Sequence, residues 1–502
     1  MAPLLRAARR LMRILLPDTW HFHRRNFLPL FLHLRRSGIA TYTDRSRRRW
    51  WKRHGDYRPF ARQLSAHLAA VENLSAEQLL AHCHREIPVF ACVRAELLCL
   101  LLPRAHWRRG GGANDAEAVL RRALADPEDR RDLLLCMAAA RDWIDHWSLL
   151  LQHEPEMSHV LVYSGSYIYT RTLQEVAQRA GRRLFCLETI FTGNEFYFEE
   201  RASPIANRSL LADAPWYAGL ALPIDAAGRE RLIAAAQHRL AGMRNKNVPV
   251  TGDFWLPPQP YKVPGVLILG QVLNDFSLIE TPMAEASAPA TYRRLISGIL
   301  ERTSLPVIFK AHPWERRRPN LGRPLTLQLI ETWLATLPDP QRSRVCLLER
   351  EPVTAIFPHV AHVVGLCSQG LLEACQAGLR PAQIGRAFFG GKGFTEDYDG
   401  PDDFLDDLAA GRRRGTLTMA EYRLFEEFLA RALVMHCIPN SPAGTDIIGE
   451  RLAHTCQVPD AAGILSKLAD TDARTDLPVG ALIADVLRNP RPWLHMLRRR
   501  PD

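Results

Sequence analysis

At 502 residues the chain is too long for one comfortable hydrophobic core and long enough for two or three domains. With 47% hydrophobic and 24% charged residues, the composition is that of a globular protein and excludes a disordered or collagen-like chain. Charge is uneven: residues 1–60 carry fifteen Lys/Arg against Asp18, Asp44 and Asp56, a local balance of +12 against +11 for the whole chain.

At the N-terminus, Leu4, Leu5, Ala8, Leu11, Met12 and Leu15 alternate with Arg6, Arg9, Arg10 and Arg13. That spacing predicts an amphipathic helix on an anionic membrane face, or equally a solvated basic helix packed on its own domain. No zinc finger, aromatic RNA-binding motif or DNA-binding helix pair accompanies the charge, so nucleic acid is not an expected partner. Arg13, Pro17 and the lack of a small-residue cleavage site argue against a signal peptide. The apolar patch 27–34 is far shorter than the roughly 20 residues of a bilayer span, so no transmembrane helix is expected. Ten cysteines without a CxxC pair fit reduced thiols in a cytoplasm, and His82-Cys83-His84 lacks a second ligand pair, so no metal site is expected.

Helical periodicity dominates 66–80 and 116–150. The period then changes to a strand at 159–163, a helix at 171–180 ending at Gly181, and a strand at 183–187, which make a βαβ unit. The Pro-rich stretch 247–264 reads as a linker. Beyond it, strands at 266–269, 307–309, 345–348, 362–366 and 382–384 alternate with helices at 291–302 and 369–377, and the chain after 401 is helical. The expected fold class is α/β, with two Rossmann-like domains, a helical N-terminal region and C-terminal helices. The expected divisions are a basic arm at 1–60, a first domain at 61–250, a linker at 251–264, a second domain at 265–400, and helices at 401–502 partly crossing back to the first domain.

Polar residues at strand ends are where such sheets place ligands. Gln271 to Asp275 follow the 266–269 strand, and Asp275 reads as a nucleophile, a base or a turn-capping residue. Lys310-Ala311-His312-Pro313 follow the next strand, where His312 with Lys310 suits an anionic group or general acid catalysis, or is a satisfied structural histidine. Ser368, Gln369 and Gly370 open a helix whose amide groups suit a phosphate, and Glu373 lies one turn on, placed for ribose hydroxyls. The glycine-rich segment 385–395, with Arg386 and Lys392, would let the backbone approach a nucleotide.

The strings QVLND, KAHP, SQGLLEA and GRAFFGGKGFT, in that order, resemble the capsular polysaccharide biosynthesis family of retaining β-Kdo glycosyltransferases, which have two domains of the GT-B type. Phe185 to Glu188, Asn194 to Phe198 and Pro204 to Ser209 resemble the segment around that family's acidic N-domain residue, and the resemblance runs from about 158 to 400. It implies Asp275 as nucleophile, with Gln271 in the same QxxxD motif, and His312 in a His-Pro motif. It also implies Glu188 as acid/base, with Glu195 as the substitute, and Ser368 and Glu373 at the nucleotide-binding helix start. The donor so implied is CMP-Kdo, with no further cofactor and no metal. The implied acceptor is a lipid or oligosaccharide on the inner-membrane surface of a bacterium, where a peripheral cytoplasmic enzyme would meet capsule assembly and export proteins. Transfer of another sugar or a glycerophosphate, or a catalytically silent scaffolding subunit, are the alternatives.

Overall fold

The computed structural model describes residues 12–51, 53–109, 115–241, 264–281, 288–315, 324–454 and 457–472. Residues 1–11, most of the linker and the last thirty residues lie outside that set, so the predicted arm helix is described only from Met12 onward. There it is not helix. Arg13–Leu16 is strand β1, paired in parallel with β2 (Ala40–Thr43) and with β3 (His159–Tyr163). Ile14, Leu15 and Leu16 are buried, and a short apolar run closed by Pro17 fits a central strand better than an interfacial helix. Arg13 at the strand's start reaches Glu154 and Glu156. Two segments of the expected basic arm, β1 and β2, are therefore strands of the first domain's sheet.

That sheet continues through β4 (Arg183–Thr189), parallel to β3, and then β5 (Glu195–Glu200), antiparallel to β4. The second sheet is wholly parallel: β6 (Gly265–Leu269), β7 (Val307–Lys310), β8 (Val345–Leu348), β9 (Val360–Gly365), β10 (Ala382–Ile384) and β11 (Glu396–Tyr398). Strand β12 (Ile438–Pro439) pairs with β5, so the chain after the second domain returns to the first. Its helix Gly444–Ala453 packs on the helix Arg24–Ser37. The spatial orders are β2-β1-β3-β4-β5-β12 and β8-β7-β6-β9-β10-β11. In chain rank these are 2-1-3-4-5-6 and 3-2-1-4-5-6, the two common doubly wound orders. The molecule is α/β with two Rossmann-like domains.

The helical region 60–150 is a bundle laid against the first sheet. Its one long predicted helix is two, Ala116–Ala125 and Pro127–His153, because Asp126 caps the second by accepting from Glu128 and Asp129 amides and Pro127 opens it. Within this bundle Glu96 is buried, and its carboxylate accepts from the amides of Gly55 (2.8 Å) and Ile168 (2.5 Å). Burial pushes its pKa up to about 7. A carboxyl raised in the folded state favours folding below its unfolded pKa of about 4.5 and loses that contribution as pH rises through 7. Wild-type stability to urea should therefore contain a declining component between these values, and Glu96→Gln should flatten it; an unchanged slope in the variant would contradict the buried-acid reading.

Candidate active site

Each sheet reverses its strand order at one place, between β6 and β9 in the second domain and between β1 and β3 in the first. Loops leaving the carboxyl ends of such strands diverge to opposite faces and leave a crevice.

In the second domain the crevice is lined by the segments after β6 and β9, which are tied together. Ser277 gathers the first segment: its amide (3.0 Å) and hydroxyl (3.1 Å) donate to Asp275 Oδ1, and its hydroxyl accepts from Gln271 Nε2 (2.6 Å). Gln271 Oε1 in turn accepts from the Cys367 thiol (3.3 Å), and the Gln271 amide donates to the Tyr292 hydroxyl (2.8 Å). Asp275 thus caps the short helix Phe276–Ile279 with one oxygen. Its Oδ2 makes no hydrogen bond among the described residues. The turn-capping and chemical readings of this residue coexist, one on each oxygen.

Beside that loop, β7 ends in Lys310, whose carbonyl accepts from the Gly270 amide (2.8 Å). Lys310 Nζ is buried and donates to the carbonyls of Ala311 (2.9 Å) and Glu349 (2.8 Å). Burial pulls its pKa down to about 8, while burial raises that of neighbouring Glu373 to about 7. His312 Nδ1 accepts from the Trp314 amide (3.2 Å). An amide can only donate, so this nitrogen carries the lone pair, and the neutral ring holds its hydrogen on Nε2. Glu315, not foreseen from the sequence, is fully buried and accepts from the amide (3.0 Å) and hydroxyl (2.5 Å) of Thr326. Burial pushes it up to about 7, and a hydrogen bond from the Leu273 amide opposes that shift, so it ties the His-Pro turn to the Asp275 loop. Its only sequence signal is a position three residues beyond His312. After β9, Ser368 Oγ accepts from the Gly370 amide (3.3 Å), and the helix runs Gly370–Gln376 with Gln369 at its start.

The first domain meets this loop cluster with its own strand ends. The Tyr167 ring stands edge-on to Phe276 at 5.0 Å, and Asn207 Nδ2 donates to the Ser277 carbonyl (3.0 Å). Tyr163, the last residue of β3, is half-buried; desolvation of its hydroxyl first, then the Glu188 carboxylate and, more weakly, that of Asp275, raise its pKa well above the phenol range. Glu188, at the end of β4, and Asp275 thus both act electrostatically on one tyrosine, from opposite domains. Glu195 is placed differently: it is buried at the start of β5, bonded by the Thr192 hydroxyl, with Arg239 as its charged neighbour. Arg386 and Lys392 also stand apart from the Asp275 cluster. Arg386 is exposed, 3.7 Å from Asp399, and Lys392 Nζ sits 4.0 Å over the Tyr217 ring. His82 and His84 turn to separate partners, Arg141 (2.7 Å) and Asp145 (2.9 Å).

A second group missed from the sequence lies after β1. Asp18 is buried, with Oδ1 accepting from the Trp20 (2.8 Å) and His21 (2.6 Å) amides and Oδ2 from the Tyr169 hydroxyl (2.8 Å). Pro17-Asp18 directly after an apolar triplet was the available signal, obscured by the surrounding arginines.

No family model matches the chain, and no curated protein matches it. Its fold is similar to that of two KpsC structures from Thermosulfurimonas dismutans. The β-Kdo 2,4 transferase is 18% identical over 60% of this chain and 88% of that one, with a TM-score of 0.38. The β-Kdo 2,7 transferase is 15% identical over 61% and 89%, with a TM-score of 0.36. A UDP-GlcNAc 2-epimerase from Methanocaldococcus jannaschii is 10% identical over 88% and 99%, with a TM-score of 0.32.

Proposed function

We propose that the protein is a glycosyltransferase that transfers Kdo from CMP-Kdo to a lipid or glycan acceptor of a surface polysaccharide, with retention through Asp275. The observation that carries this reading is the joining, through Ser277 and Gln271, of Asp275 to Cys367 at the reversal of strand order, against Tyr167 and Asn207 of the first domain. That is where a doubly wound sheet binds a nucleotide. The amides before Gly370–Gln376 suit the CMP phosphate, and His312 Nε2–H and Lys310 suit the phosphate or the sugar carboxylate. The unbonded oxygen of Asp275 is the attacking atom, Gln271 holds the loop that presents it, and Glu188 serves as the acidic group on the acceptor side.

The basic surface has a place in this reading. Arg24, Arg25, Arg35 and Arg36, on the helix Arg24–Ser37, and Arg45, Arg48 and Arg49 after β2 are exposed, a charge distribution suited to anionic headgroups. Among the described residues no helix is long and apolar enough to cross a membrane.

Calorimetry tests the donor assignment. CMP should bind, and Lys310→Met should raise its Kd about tenfold or more, the size of one lost charge-assisted contact of about 1.4–3 kcal/mol. Absence of CMP binding by the wild type, or an unaltered Kd in the variant, would remove the nucleotide site from this position.

A further inference from the structure

His21 is the residue of the crevice that neither the sequence motifs nor the transfer scheme above uses. It follows β1, at the first sheet's own reversal of strand order. Its ring stacks on Tyr163 at 4.3 Å and 5°, and lies 5.4 Å from Tyr167, the ring that touches Phe276 next to Asp275. The side chain is 12% exposed, so it is fixed but reachable.

Its hydrogen bonds settle which nitrogen holds the proton. The Tyr169 hydroxyl gives its hydrogen to Asp18 Oδ2, so the tyrosine oxygen can only accept from His21 Nδ1 at 3.1 Å. Asp18 Oδ2, 3.4 Å from the same nitrogen, is also an acceptor. Although burial opposes it, hydrogen bonding to His21 and Tyr169 holds the Asp18 pKa below its usual value, which keeps the carboxylate charged. Nδ1 therefore bears the proton and Nε2 the lone pair, the reverse of His312, where Nδ1 accepts. Nε2 has no hydrogen bond among the described residues. One histidine of the crevice is set to donate and the other to accept.

We propose that His21 is the base that takes the proton from the acceptor hydroxyl, with Asp18 and Tyr169 as positioning residues; this rests on the transferase reading. In the second half of the reaction the acceptor oxygen bonds the anomeric carbon as the bond from that carbon to Asp275 breaks, the electron pair returning to the carboxylate. The hydroxyl proton moves to Nε2, and the resulting imidazolium is stabilised by Asp18.

Azide supplies the test, because it is an anionic nucleophile with no proton to lose. With CMP-Kdo as donor and an octyl Kdo glycoside as acceptor, His21→Gln should lower transfer by about 10²–10⁴-fold. CMP affinity should stay unchanged, and Kdo azide should form at the wild-type rate when azide replaces the glycoside. Asp18→Asn should behave alike but more mildly: its oxygen can still accept the Trp20 and His21 amides, while its NH₂ group would face His21 Nδ1 and disfavour the working tautomer. Equal loss of glycoside and azide transfer, or undiminished glycoside transfer, would overturn the role of His21 alone. A wild type that releases no CMP with either nucleophile would remove the transferase reading and this role with it.

Discussion

Asp275→Asn should fall in transfer rate by at least about 10³-fold while binding CMP as the wild type does. The two oxygens of Asp275 have separate tasks. Oδ1 holds the loop by accepting from the Ser277 amide and hydroxyl, and the amide oxygen of asparagine can do the same. What the substitution removes is the charge and nucleophilicity of Oδ2, so the loop, the helix Phe276–Ile279 and the Gln271 contacts should persist. CMP release from CMP-Kdo in the presence of acceptor reads the rate, and calorimetry reads the affinity. An asparagine variant with full turnover would leave Asp275 only its capping role.

Glu199→Ala should be the most destabilising single change outside the crevice, by about 3–5 kcal/mol, the range for removing one partner of a buried ion pair. Glu199 is fully buried on β5 and accepts from Ser209 Oγ (2.6 Å), the Leu210 amide (3.1 Å), Arg201 (2.7 Å) and His436 Nε2 (2.8 Å). His436 Nδ1 accepts from the Trp216 indole (3.2 Å), which leaves Nε2–H to donate to the carboxylate. The pair joins the first domain to the returning C-terminal segment. Against the effect of burial, the His436 hydrogen bond first, then the Arg201 charge and the Ser209 hydroxyl, bring Glu199 down to about 2. A carboxyl lowered in this way contributes stability that is present above its unfolded pKa of about 4.5 and lost as pH falls toward 2. Urea unfolding should show the alanine variant shifted to lower midpoint at neutral pH, with the gap from wild type narrowing on acidification below 4.5. A constant gap down to acid pH would contradict the ionised Glu199 carboxylate.

How much of this was readable beforehand follows from burial. The strands of the second domain were found nearly in place because a parallel sheet covered on both faces writes each strand as a continuous apolar run, as in Val266 to Leu269. Polar residues just past those runs, Gln271, Asp275, Lys310, His312 and Ser368, gather at one end of the sheet for the same topological reason. Strand β1 was hidden because three apolar residues flanked by arginines also satisfy a helical period. With β1 went Asp18 and His21, whose importance depends on Tyr163 and Tyr169, far away in the chain, 151 residues for the Asp18–Tyr169 bond. The glycine-rich segment 385–395 reads as flexible and basic, yet where Lys392 lands depends on Tyr217, a contact that no local pattern encodes. Glu195 and Glu188 look equivalent in sequence; what separates them is the neighbours the fold gives each, Tyr163 and Tyr197 for Glu188 and Thr192 and Arg239 for Glu195.

The chemistry assigned to the crevice stands or falls on a bond to one carboxylate. Protein incubated with CMP-Kdo without acceptor, quenched in acid and digested, should yield the peptide containing Asp275 with one Kdo residue added, and fragmentation should place the sugar on Asp275 itself. CMP released from the donor with the sugar on another side chain, or transfer that proceeds with no sugar on any carboxylate, would contradict it.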